Sequence, residues 1–131
     1  MTITLTLTVQ ATGRTALTLS KSMTVDAIDE VQVEVPHGAS VQLINISPGD
    51  TDANQFTLIY GDSYPATVPG TPDLTYKPHS GAGAPISMST FHMYMPDMDA
   101  ALPAGLDMIY ASNAHASTNV ALTILCGRNL S

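Results

Sequence analysis

Asp50, Thr51, Asp52, Ala53 and Asn54 put carboxylates and an amide at alternate positions. A calcium loop begins this way, because a hard cation collects oxygen ligands from every second residue of a tight turn. The full loop also needs Gly at its sixth position and Glu at its twelfth. Here those positions hold Gln55 and Gly61. Asp50, Asp52 and Asn54 are therefore candidates only for a looser calcium site between strands. A solvated turn in which short acids cap backbone amides explains them equally well. His37, His79, His92 and His115 could supply imidazoles to a metal, but no pair has the short spacing of a zinc site.

Nucleophilic chemistry finds no better footing. Gly61-Asp62-Ser63 shares three letters with the serine motif of lipase-like hydrolases, but no helix pattern follows it, and it reads as a turn. Gly81-Ala82-Gly83 has neither a lysine nor a following helix, so it does not cradle phosphate. Cys126 shares its parity with Val120, Leu122 and Ile124, which makes it a small buried hydrophobe. The sequence thus predicts no enzyme, no cofactor and no metal centre.

Residues 91–98 are more informative. Phe91, Met93, Tyr94, Met95 and Met98 gather aromatic rings and adaptable thioethers in one short stretch. Alternation predicts that Phe91, Met93 and Met95 face the core and that Tyr94 and Met98 face outward. Tyr64 and Tyr76 sit in a segment rich in Pro and Gly, residues 64–85, whose restricted backbone loses little entropy on docking. Tyr64, Tyr76, Tyr94 and Met98 are the candidate contacts with other subunits.

Composition narrows the classes. The chain has 131 residues, enough for a single domain spanning 1–131. Only 11% of residues are charged, against about 25% in an average domain. The net charge is −7, with four scattered cations, Arg14, Lys21, Lys77 and Arg128. Phosphate binding needs clustered cations, so a nucleic-acid partner is not expected. No apolar run reaches the roughly 20 residues of a membrane helix, and no secretion signal is evident.

The elements follow from hydrophobic period. Thr2-Ile3-Thr4-Leu5-Thr6-Leu7-Thr8-Val9 alternates without a break, with aliphatics on one face and hydroxyls on the other. This predicts a strand of about 26 Å whose Ile3, Leu5, Leu7 and Val9 are core, and which shares a sheet with the last strand, 119–126. A short turn of helix is expected over 25–30. Strands are expected at 31–35, 41–46, with Val41 and Leu43 inward, and 55–60. Leu74, Thr75 and Tyr76 read as a short edge strand inside the 64–85 excursion. A strand from Ile86 with a bulge near Thr90 and another at 106–110 complete the set. About eight strands with little helix predict an all-β, antiparallel β-sandwich, jelly-roll-like.

The Thr-rich opening at 2–8, the Pro-Gly excursion at 64–85 and the ending Asn119-Val120-Ala121-Leu122-Thr123-Ile124-Leu125-Cys126-Gly127 together resemble the small β-sandwich virion proteins of tailed phages, head decoration or cement proteins in particular. The resemblance is one of pattern and carries no functional residue over. It implies a structural protein made in the host cytoplasm and incorporated in the virion, where it would bind capsid protein or other virion subunits, strengthen the shell, and form a homo-oligomer, a trimer or dimer. The alternatives are a tail or neck component, and a ligand- or carbohydrate-binding sandwich module.

Overall fold

The structure, a computed structural model, describes residues 1–38, 41–46, 54–78, 84–95 and 108–129. Among these, ten strands occur and no helix: β1 (Thr2–Val9), β2 (Leu17–Thr24), β3 (Ala27–Val35), β4 (Val41–Asn45), β5 (Asn54–Gly61), β6 (Leu74–Pro78), β7 (Ile86–Ser87), β8 (His92–Tyr94), β9 (Met108–Asn113) and β10 (Val120–Arg128). Eight of them build the sandwich, in two sheets ordered β3-β10-β5-β8 and β4-β9-β6-β7. All pairs are antiparallel, and four of them nest: β3 with β10, β4 with β9, β5 with β8, β6 with β7. A long four-pair hairpin has thus been rolled up, and β10 closes on β5 while β9 closes on β6. That is the jelly-roll arrangement.

Period two explains the layering. Inward residues of β10 (Val120, Leu122, Ile124) meet Ile59 of β5 and, across the sandwich, Ile44, Leu74 and Ile109, all buried. On β4 the parity is the reverse of the sequence expectation. Ile44 is buried opposite Ile109, and Val41 and Leu43 point to solvent. Partner strand β9, which buries Ile109, Ala111 and Asn113, decides which face of β4 is covered.

The first strand is the largest correction. β1 pairs with β2 through eight residue pairs, from Thr2↔Thr24 to Val9↔Leu17, as a separate two-stranded ribbon. It cannot join the last strand, because both edges of β10 are already taken by β3 and β5. Ile3 and Leu5 are half-buried, but Leu7 and Val9 are more than half exposed. No helix forms at 25–30 either. Val25 and Met1 exchange two hydrogen bonds (2.9 and 2.7 Å), Asp26 N–H donates to Arg128 O at 2.9 Å, and β3 starts at Ala27. These extended pairings satisfy the backbone groups a helical turn would have used.

The 64–85 excursion is not one loop. Val68-Pro69-Gly70-Thr71 closes with a 3.0 Å bond from Thr71 N–H to Val68 O, and Gly70 takes φ 83°. Pro then Gly at the central positions is the type II signature, which needs positive φ at the second. Asp73 clamps the turn: its carboxylate accepts from the Thr67 amide at 2.7 Å and the Thr67 hydroxyl at 2.6 Å. These bonds, the hydroxyl's first, hold the Asp73 pKa below the usual carboxylate range. β6 then runs between β9 and β7, so it is an interior strand and not an edge. Residues 86–95 contain no bulged single strand. β7 belongs to one sheet and β8 to the other, and the chain crosses the sandwich at Ser89 and Thr90. The Leu106 end of the expected 106–110 strand lies outside the described residues.

Candidate functional site

The most distinctive surface is the outer face of the β3-β10-β5-β8 sheet with the ribbon beside it. Strand register sets its rows. Glu30, Leu125, Leu58 and Met93 lie side by side across the four strands. The next row holds Gln32, Thr123, Tyr60 and, just before β8, Phe91. At the other end Gly127 pairs with Phe56. A Cβ on Gly127 would stand 2.6 Å from Ile3 Cδ1 and 3.2 Å from Val25 Cγ1, so its missing side chain lets the ribbon's base close on the sheet. Val25 and Phe56 are buried there, outside the main core cluster.

Beyond that base the ribbon is apolar on one face and hydroxylic on the other. Cross-strand pairs Leu5↔Lys21, Leu7↔Leu19 and Val9↔Leu17 share the apolar face. Between the ribbon and β8 lies an open cleft of about 290 Å³, mostly apolar, with Leu5, Leu7, Leu19 and Lys21, together with Thr6 and Ser20, on the ribbon's side and Phe91, Met93 and Met95 on the other. A second depression, formed by Leu58, Tyr60, Tyr64 and Phe91, continues it along the sheet. Phe91 is 54% exposed and belongs to both. Aromatic residues and methionine are enriched in contact surfaces relative to the rest of a protein's exterior.

This arrangement reverses the parity expected for 91–95. Phe91, Met93 and Met95 face out, and His92 and Tyr94 face in, opposite buried Ile59 and Thr57. Of the four expected contact residues, Tyr64 lies on the second depression, half-buried, with its hydroxyl accepting from Gly61 N–H at 3.1 Å. Tyr76 is 1% exposed and belongs to the core. Its hydroxyl shares hydrogen bonds with His92 Nδ1 at 2.7 Å and with the Tyr94 hydroxyl, and its ring meets the His92 ring edge-on at 5.6 Å. Burial, and then the bond to Tyr94, pushes the Tyr76 phenol far above its ordinary value, and burial lowers the His92 pKa. A neutral His92 suits this place: with its proton on Nε2, Nδ1 accepts from Tyr76. The cluster ties β6 in one sheet to β8 in the other. Met98 lies outside the described residues.

The remaining candidates have structural duties or lie out of view. Asp50, Asp52 and His79 are outside the described residues; Asn54 begins β5, its backbone paired with Arg128. Asp62 continues the β5–β10 ladder beyond Gly61, its carboxylate accepting from Ala121 N–H at 2.9 Å. His115 Nδ1 accepts from the amides of Ser117 and Thr118 at 3.1 and 2.9 Å, and Asn119 Oδ1 accepts from His37 N–H at 3.0 Å; both sit in loops at one end of the sandwich. Cys126 is buried, and burial raises its thiol pKa. Among the described residues no group of three or more His, Cys, Asp or Glu could hold a metal ion. No helix of the described residues is long and apolar enough to cross a membrane. No protein-family model, curated protein or solved structure matches the chain.

The residues that sequence reasoning missed are Leu7, Leu19, Phe91 and Met93. Their apolar character was plain; what covers them is not written in their period.

Proposed function

We propose that the chain is a non-enzymatic structural protein of a virus particle, a decoration or cement protein that binds at junctions between capsid subunits and stabilises the shell. The observation that carries the proposal is the continuous open apolar surface from the ribbon through Phe91 to Tyr64. A lone soluble subunit gains nothing from it, and an assembled one buries it. The rolled-hairpin architecture supports the reading, because virus capsid domains use it; lectin domains use it too, so the weight rests on the surface. A sugar site would ring its aromatic platform with hydrogen-bonding groups. Here Leu58 and Tyr64 flank Tyr60 and Phe91, the Tyr64 hydroxyl already bonds the Gly61 amide, and the polar neighbours (Thr123 and Gln32 along the row, Thr6, Ser20 and Lys21 across the cleft) are outweighed by apolar surface. Protein is the better-fitting partner.

Co-sedimentation decides it. The purified chain is mixed with shells assembled from the capsid protein encoded in the same genome, then spun through a density gradient. Binding at a fixed stoichiometry, with shells that resist heat better, is expected. A chain that stays at the top of the gradient at every concentration refutes the proposal.

A further inference from the structure

Charge is divided unevenly along this chain. Residues 1–24, which make the ribbon, hold Arg14 and Lys21 and no acid; the rest of the chain holds Lys77, Arg128 and all eleven Asp and Glu. The ribbon is therefore a cationic, apolar arm on an acidic body. Its base is fixed by the Met1–Val25 hydrogen bonds and by Ile3 over Gly127. Its outer half is not covered: Leu7, Val9, Leu17 and Leu19 are each more than half exposed. A two-stranded ribbon by itself is marginal in water, so this half needs an apolar surface to lie on.

The body of the chain presents a surface of complementary pattern. On the outer face, the apolar row Met93, Leu58, Leu125 ends at Glu30. Glu30 and Glu34 are both exposed on β3. Crossing from β8 to β3 takes three strand spacings, about 14 Å. From Leu19 to Arg14 is five residues, a reach of at most about 16 Å, since β2 begins at Leu17 and Arg14 stands in the turn at the ribbon's tip. An arm whose Leu7 and Leu19 enter the cleft at Met93 would thus lay its tip over β3, and place Arg14 beside Glu30. The chain's own arm cannot do this, because its base is fixed at the Gly127 end and its Leu7 and Leu19 already form one wall of the cleft.

We infer that the ribbon β1–β2 docks on a second copy of this chain, its apolar face across Met93, Leu58 and Leu125 of the neighbour's outer sheet face and Arg14 against the neighbour's Glu30. Two copies exchanging arms in this way make a two-fold contact in which each apolar face is covered. Burial of Leu7 and Leu19 supplies the affinity, and the Arg14–Glu30 pair fixes the direction in which the arm lies. This deepens the assembly reading above and rests on it only for the premise that the apolar surface is buried by protein.

Sedimentation velocity on the full chain, without any capsid protein, tests it. The wild type should be a dimer or a larger closed oligomer at micromolar concentration. Leu7→Ser with Leu19→Ser should weaken association about a hundredfold, with the far-ultraviolet spectrum unchanged, since both positions are exposed in the single chain. Arg14→Glu should weaken it about tenfold, Glu30→Arg likewise, and the two together should recover most of the loss. A wild type that is monomeric at 100 μM (roughly the top of the range for a specific contact) overturns the inference. So does an oligomer indifferent to Leu7 and Leu19, or a charge swap that fails to rescue. An oligomer that ignores the shells sinks only the virion proposal, and a monomer that binds shells sinks only this one.

Discussion

Replacing Tyr76 with Phe removes one oxygen from the core and leaves the ring in place. That oxygen bonds both His92 and Tyr94, and the residue is 1% exposed. His92 and Tyr94 are half-buried, so the groups left behind can recruit water only in part. A buried polar group that loses its partner costs about 1–3 kcal/mol, so Tyr76→Phe should destabilise by about 2 kcal/mol. For a chain of this length, that is a drop in melting temperature of roughly 6–12 °C. Urea unfolding should show a lower midpoint with an unchanged slope, since the surface exposed on unfolding does not change. Tyr94→Phe should couple to it, the double variant falling short of the sum by about 0.5–2 kcal/mol. The pH dependence supplies an independent readout. The phenol of Tyr76 is pushed up in the folded state, so the native form holds its proton where the unfolded chain gives it up. That contribution is present below the ordinary phenol value of 10.0 and lost as pH rises above it, and Tyr76→Phe should flatten the alkaline limb. A loss under about 0.5 kcal/mol, with an alkaline limb like the wild type's, would mean the hydroxyl is solvated and the two sheets are not tied there.

Two further outcomes follow from the same packing. Gly127→Ala should destabilise by about 1 kcal/mol, because the new methyl displaces Ile3 Cδ1 and presses on buried Val25 Cγ1, and Ile3→Val in the same chain should return part of it; additive effects would show that the ribbon's base is not seated on Gly127. Burial lowers the His92 pKa, so the unfolded chain binds that proton more readily; the contribution to stability is present above about pH 6.5 and lost as pH falls below it, and His92→Gln should reduce the slope of melting temperature against pH between 5 and 7.

Much of the fold was legible because period two is written plainly. Most strands of the sandwich lie close to where alternation places them. What alternation cannot say is which layer a face meets. Residues 2–9 alternate more cleanly than any other stretch, and the same pattern serves equally for a strand in a closed sheet and for an arm with one apolar side. The difference lies in β10, whose two edges are filled by strands distant in sequence. At 86–95 the parity shift is real, but its cause is a crossing between sheets and not a bulge, so Phe91 and Met93 exchange sides with His92 and Tyr94. Residue types there pointed to an apolar contact surface but not to the hydrogen-bonded cluster of Tyr76, His92 and Tyr94; only the register with β5 tells which side each residue occupies.

That exchange of sides also decides what kind of surface the molecule offers. Had Phe91 and Met93 packed inward, the outer face would carry an imidazole and a phenol, a face suited to polar ligands. With His92 and Tyr94 turned in and bonded to Tyr76, the polar groups of β8 are satisfied inside, and the face they vacate is left to carbon and sulfur. Water gains little by wetting such a face, and burying it is favourable in proportion to its area. The charge division then limits which protein can do so with least repulsion. An acidic body meets another acidic body poorly, whereas a segment with two cations and no acid would meet it without that repulsion, and residues 1–24 are such a segment.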